Sequence, residues 1–145
     1  MEKKEWIYIN DHNKVRELLA SIGKKKDDSL FQQLKTELTV HNEAEEEALY
    51  EPLTAKAGKL KIMVKAGHTE HDLVMKMLNQ IEKIKNEEEW KSLFTVIKKS
   101  IEAHINMEEN ELFDLAQKHF SAKEAQEIAK NMQELKKQYK VELTK

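Results

Sequence analysis

The stretch His41-Asn42-Glu43-Ala44-Glu45-Glu46-Glu47-Ala48-Leu49-Tyr50 returns as His104-Ile105-Asn106-Met107-Glu108-Glu109-Asn110-Glu111-Leu112-Phe113. Each copy has a histidine, a glutamate four residues on, and a large apolar pair at plus eight and plus nine. On a helix, residues four apart share a face. That face is otherwise apolar: Leu34, Leu38 and Leu49 flank His41 and Glu45, and Ile97, Ile101 and Leu112 flank His104 and Glu108. A carboxylate on the core stripe of a helix is costly unless its charge is compensated. A metal ion compensates it.

Composition sets the frame. The chain has 145 residues, the length of one domain with a proper core, so 1–145 is expected to form a single domain. Three glycines and one proline leave little turn chemistry for a many-stranded fold, and long periodic stretches point to an all-α protein. A formal net charge of −2 carries no basic bias, so neither nucleic acid nor an anionic membrane is expected as a partner. No apolar run approaches the length of a membrane span. The start, Met1-Glu-Lys-Lys-Glu-Trp6, does not read as a signal peptide. Cysteine is absent, which removes disulfides and thiolate ligands. A cytoplasmic location is expected.

Along the chain, residues 1–9 read as an extended arm with Trp6, Ile7, Tyr8 and Ile9. Asn10 or Asp11 caps a first helix whose inner stripe is His12, Val15, Leu18, Leu19 and Ile22, with Gly23 as its stop. Ser29 caps a second helix over about 30–53, with Pro52 near its end. A connection around Gly58 leads to a third helix over about 60–85, which carries Gly67 and His71. After a link at Asn86, a fourth helix covers roughly 88–117. Ser121 and Glu124 form a capping box that opens a fifth helix, 121–142, with Ala125, Ile128, Met132, Leu135 and Tyr139 on one side. That stripe fits packing on the bundle, the preferred reading, or a contact with a second copy or another protein.

The repeat is longer than the opening phrase. His12 is followed by Val15, Leu18 and Leu19, and His71 by Val74, Met77 and Leu78 at the same offsets. Residues 12–53 and 71–115 are thus two copies of a helix pair. Two such pairs closing on each other make an antiparallel up-down-up-down four-helix bundle over 10–117. In such a bundle, residues equidistant from a turn meet at one level. His12 and His41 lie 14 and 15 residues from a turn near residue 26, and Glu45 and His71 each lie 13 from one near 58. His71 and His104 lie 16 and 17 from one near 87. At about 1.5 Å per residue, His12, His41, Glu45, His71, His104 and Glu108 converge on one layer.

Four imidazoles and two carboxylates exceed what one small metal needs. Two metals with about six places each are nearly filled by the four imidazoles, the two carboxylates acting as bridges and a shared oxygen. His68, three residues before His71, reads equally as a further ligand or an exposed residue, and one position stays open for a small molecule. Nitrogen and oxygen donors without sulfur fit Fe, Mn or Zn, and a bridged pair with a vacancy favours iron. Glu46, Glu109 and Glu70 turn outward on this reading, with Glu109 held in reserve as a ligand. His119 is a surface residue, and Tyr50 and Phe113 are core packing, with Tyr50 also able to donate to a bound oxygen species as the lesser reading. Asp11 and Asp72 adjoin ligands and fit either outer-layer support or ordinary capping and exposure.

This pattern resembles the hemerythrin family, in its HHE cation-binding branch. That branch has His in a first helix, His-x-x-x-Glu in a second, His in a third and His-x-x-x-Glu in a fourth. The matching positions are His12, His41 with Glu45, His71, and His104 with Glu108, followed by Leu49-Tyr50-Glu51-Pro52 and Leu112-Phe113. The resemblance implies a non-haem di-iron centre bridged by Glu45 and Glu108. Oxygen-carrying hemerythrins differ. Their third helix has His-x-x-x-His, where Gly67 stands here with His68 one residue off, and their fourth has His-x-x-x-x-Asp. The expectation is a protein that binds O2 or a related small oxidant for sensing, storage or iron handling. Two other readings remain: a di-iron oxidase or peroxide-reducing enzyme, and a metal-free interaction bundle. Binding is preferred over turnover.

Overall fold

In the computed structural model, residues 8–24, 27–55 and 58–143 are described, and the regular structure among them is all helical. The first helix is Tyr8–Lys24. The second starts as Asp28–Glu45, widens into a π-helical turn at Glu46–Tyr50 and closes as Glu51–Thr54. The third is Lys59–Ile81. The fourth repeats the second: Glu87–Met107, a π-helical turn at Glu108–Leu112, then Phe113–His119. The fifth, Ala122–Leu143, lies along the second. The first four form the expected antiparallel bundle, first against second and third against fourth.

Several boundaries differ from the sequence reading. Trp6 and Ile7 of the expected arm lie outside the described residues, but Tyr8 and Ile9 already belong to the first helix. Neither Asn10 nor Asp11 is therefore its cap, and Asp11 stands within the first turn. Gly23 does not stop that helix, which runs on to Lys24. The second helix is capped by Asp27, not Ser29: the extended Asp27 accepts from Leu30 N at 3.0 Å. Asp and Ser cap about equally well, so the register of the turn decides between them. The third helix ends at Ile81 rather than 85. Asn86 must be extended to accept from Glu89 N at 3.0 Å, so the chain leaves the helix earlier.

Two apolar clusters fill the bundle. One is built on Leu18, Leu19, Ile22, Leu34, Leu78 and Ile97. The other is built on Leu49, Tyr50, Leu53, Leu60, Leu112 and Phe113. The second, third and fourth helices each contribute to both clusters, and their His and Glu positions fall around the changeover from one to the other. The polar layer thus lies between two apolar halves. The fifth helix completes the second half. Its Ser121–Glu124 box closes in both directions: Glu124 N donates to Ser121 Oγ at 3.1 Å, and Ser121 N to Glu124 Oε1 at 2.9 Å. Ala125, Ile128 and Met132 are buried against the bundle, so this part of its stripe is covered within the chain.

The two π-helical turns begin immediately after Glu45 and at Glu108. Their wide bonds run from Glu51 N–H to the Glu46 carbonyl and from Phe113 N–H to the Glu108 carbonyl. Pro52 lacks an N–H and would crowd the carbonyl four residues back, but the equivalent position in the fourth helix is Leu115, so proline is not the common cause. What both turns share is their place beside a buried carboxylate, and π turns of this kind concentrate at functional sites. Met132 is fully buried, so Met132→Ala is expected to lower stability to chemical denaturation by about 2–5 kcal/mol. A change below about 0.5 kcal/mol would show that the fifth helix is not docked.

Candidate metal centre

Six side chains predicted from spacing meet in the polar layer. Glu45 and Glu108 are fully buried, and His12, His41, His71 and His104 are nearly so. His12 Nε2 lies 3.2 Å and His104 Nε2 3.3 Å from Glu108 Oε1. His71 Nε2 lies 3.2 Å from Glu45 Oε1, and His41 Nε2 3.5 Å from Glu45 Oε2. His71 Nε2 and His104 Nε2 face each other at 3.0 Å. The donors sort into two compact groups: His12, His41, Glu45 and Glu108, and Glu45, His71, His104 and Glu108. In each group the ligand atoms lie within 4.8 Å of one another, and both carboxylates are common to the two.

Among the described residues, His41 Nε2, both oxygens of Glu45 and Glu108 Oε1 are buried without a hydrogen bond. Orphaned buried acceptors are costly, and here they point inward at the same small space. The donor set fits metal cations. Without them, protons do part of the work. Burial alone would push His41 down, but Glu45 and Asp11 hold it at about 9. His71 is held at about 9 by Glu45 and Glu46 against the same burial, and His104 at about 11 by Glu108 and Glu70. Burial would raise Glu108, but His104 and His12 keep it well below the usual carboxylate range.

An outer ring of acids orients the imidazoles. His12 Nδ1 bonds Glu109 Oε2 at 2.9 Å, His41 Nδ1 bonds Asp11 Oδ2 at 3.0 Å and His71 Nδ1 bonds Glu46 Oε1 at 3.1 Å. His104 Nδ1 bonds Glu70. A carboxylate at Nδ1 fixes the proton there and leaves Nε2 as the metal donor. This corrects the outward placement of Glu46, Glu109 and Glu70. One residue along a helix is about 100° of rotation, which here is the flank facing the next helix and not the back. The repeat carries the missed signal. An acid precedes His12 and His71, and an acid follows Glu45 and Glu108. Asp11 takes its outer-layer role, whereas Asp72 and His119 are exposed.

His68 is not brought into either group. Its side chain is half exposed, and its Nδ1 lies 2.8 Å from Glu46 Oε1. Tyr50 does more than pack. Its hydroxyl donates to Glu108 Oε2 at 2.7 Å, and its ring stacks on His71 at 5.3 Å. Its repeat counterpart Phe113 stacks on His12 at 5.8 Å. Gly67 makes room for the phenol: a Cβ there would sit 2.4 Å from the Tyr50 oxygen and 2.8 Å from the ring carbon bearing it.

The family model described as Hemerythrin HHE cation binding domain matches residues 6–116. No curated protein and no solved structure matches the chain significantly.

Two outcomes follow from this geometry. Tyr50 is fully buried and cannot yield, so Gly67→Ala is expected to cost about 1–3 kcal/mol despite the better helix former. The double variant with Tyr50→Phe, which removes the closest atom, is expected to melt above Gly67→Ala alone. The second outcome concerns pH. His41 and His71 stand near 9 in the fold against an ordinary 6.5. Their protonated forms stabilise the metal-free fold below pH 6.5, and that contribution is lost as pH rises through 9. The Tm of the metal-free chain is expected to fall across that interval, and the Tm of the metal-loaded chain is not.

Proposed function

The chain belongs to the hemerythrin HHE cation-binding family, and on that premise we propose that it holds a bridged di-iron pair and binds O2 or a related small oxidant. The observation that carries this reading is the sharing of Glu45 and Glu108 by two four-donor groups. His12 and His41 would hold one ion, His71 and His104 the other, and the two glutamates would span both. His68 stays outside the set, on Glu46. When bound, iron supplies one-electron redox chemistry and a position for a diatomic or peroxide ligand.

The chain's own residues set the limits of that chemistry. Two divalent ions bring four positive charges. The two shared and four outer carboxylates bring six negative ones, and Arg16 on Glu109 with Lys136 on Asp11 returns two. With neutral imidazoles the loaded layer is electrically balanced, which a buried site requires. Tyr50 holds Glu108 from one side. On the other, a cavity of about 20 Å³ is walled by Val15, Leu38, Val74, Ile101 and Ile105 beside the donors. That volume is about the size of one water and is lined by the donors themselves, so it is space a metal ion would take. The histidine-rich set favours reversible binding. Ferritin-like oxidases use Glu-x-x-His pairs, and this chain has none.

Metal analysis with absorption spectra, taken with and without O2, tests the proposal. About two irons per chain and oxo-bridged bands are expected, with a colour change that reverses when O2 is removed. His41→Ala and His104→Ala are each expected to lower bound iron, and Glu45→Ala or Glu108→Ala to uncouple the pair. Steady consumption of ferrous iron with O2 or peroxide would replace binding by the oxidase reading. A folded chain indifferent to iron would end both.

A further inference from the structure

The donor layer is symmetric under the repeat, and so is its ring of acids. Asp11 and Glu70 precede equivalent histidines, and Glu46 and Glu109 follow equivalent glutamates. What touches those acids is not symmetric. Glu109, which holds His12, is gripped by Arg16 through Nη2 to Oε1 at 2.7 Å and Nη1 to Oε2 at 3.1 Å. Asp11, which holds His41, accepts from Lys136. On the other side, Glu46 meets His68, an imidazole and not a fixed cation. Glu70 has no lysine or arginine at ion-pair distance among the described residues. The repeat position of Arg16 is Met75, and Lys136 comes from the fifth helix, beyond the family match.

We propose that the two metal positions are unequal, with Arg16 and Lys136 weakening the His12/His41 position so that the His71/His104 position fills first. A carboxylate on Nδ1 makes an imidazole a stronger donor at Nε2. A cation on that carboxylate draws the same electron density away. It also adds repulsion toward an incoming metal, only partly screened because Arg16 and Lys136 are partly exposed. Both acids, Glu109 and Asp11, are committed to these cations by direct contact. Arg16 and Lys136 are positioning residues: they act on the metal through an acid and an imidazole. The weaker position is then the exchangeable one, and iron supply governs whether the pair is complete.

This ranking rests on the two-metal reading, and the test separates the two. The metal-free full-length chain is titrated with Co(II), followed by calorimetry and d–d absorption with a competing chelator. Two steps are expected, separated by roughly tenfold or more, the scale on which outer partners of ligating histidines act. His71→Ala should abolish the tight step and His41→Ala the weak one. Lys136→Met should tighten the weak step by roughly tenfold and leave the tight one unchanged, while Lys136→Arg keeps the wild-type pattern. Arg16→Met should act in the same direction. A structural role would do the opposite, because a loosened Asp11 weakens His41. Two equal steps, a weak step that loosens in Lys136→Met, or loss of the tight step in His41→Ala would each overturn the ranking alone. Uptake of fewer than two Co(II) would overturn the two-metal reading and the ranking with it.

Discussion

Two carboxylates with no exposure to solvent, Glu45 and Glu108, are the constraint on which this structure turns. An ionised carboxylate deep in a bundle costs several kcal/mol unless positive charge and hydrogen bonds surround it. The four imidazoles around them answer that cost. Without metal, the histidines retain protons well above their ordinary range. With metal, cations take the place of the protons at the same atoms. The polar layer therefore has a partner for its charge in either condition, and the apolar halves above and below can pack around it.

Symmetry explains how one layer presents two groups of donors. Each helix pair supplies two imidazoles at Nε2, one shared carboxylate and two outer acids at Nδ1. Each also widens into a π-helical turn next to its shared carboxylate. The copies then diverge. Tyr50 and Phe113 stack on equivalent histidines, but only Tyr50 reaches a carboxylate. Gly67 is the space that phenol needs. The position where oxygen-carrying hemerythrins have a histidine is thus filled from the neighbouring helix by Tyr50. His68, one residue round, points toward Glu46 and the surface instead.

The fifth helix ties the periphery to the centre. Met132 seals the second apolar half, while Lys136, one turn on, reaches Asp11 and through it His41. A helix that lies outside the family match thereby touches the orientation of an imidazole in the candidate centre. Packing and site chemistry share one element here because the second helix, which carries His41 and Glu45, is the surface it covers.

By itself, the amino-acid order determined the helices, their antiparallel pairing and the six residues of the layer. These follow from a 3.6-residue period, a repeat and equal distances from turns, all of which are local or nearly so. The outer contacts were decided only by the tertiary structure. Glu46, Glu70 and Glu109 sit on helix flanks, and whether a flank meets solvent or a histidine depends on how the next helix is rotated. Arg16 to Glu109 and Lys136 to Asp11 span 93 and 125 residues, and no pattern along one helix encodes such a meeting. The π-helical turns were equally hidden, since an extra residue in one turn leaves the apolar stripe legible on both sides of it. His68 shows the same limit from the other direction. Its spacing from His71 fitted a ligand or an exposed residue alike, and the rotation of its helix set it half exposed beside Glu46.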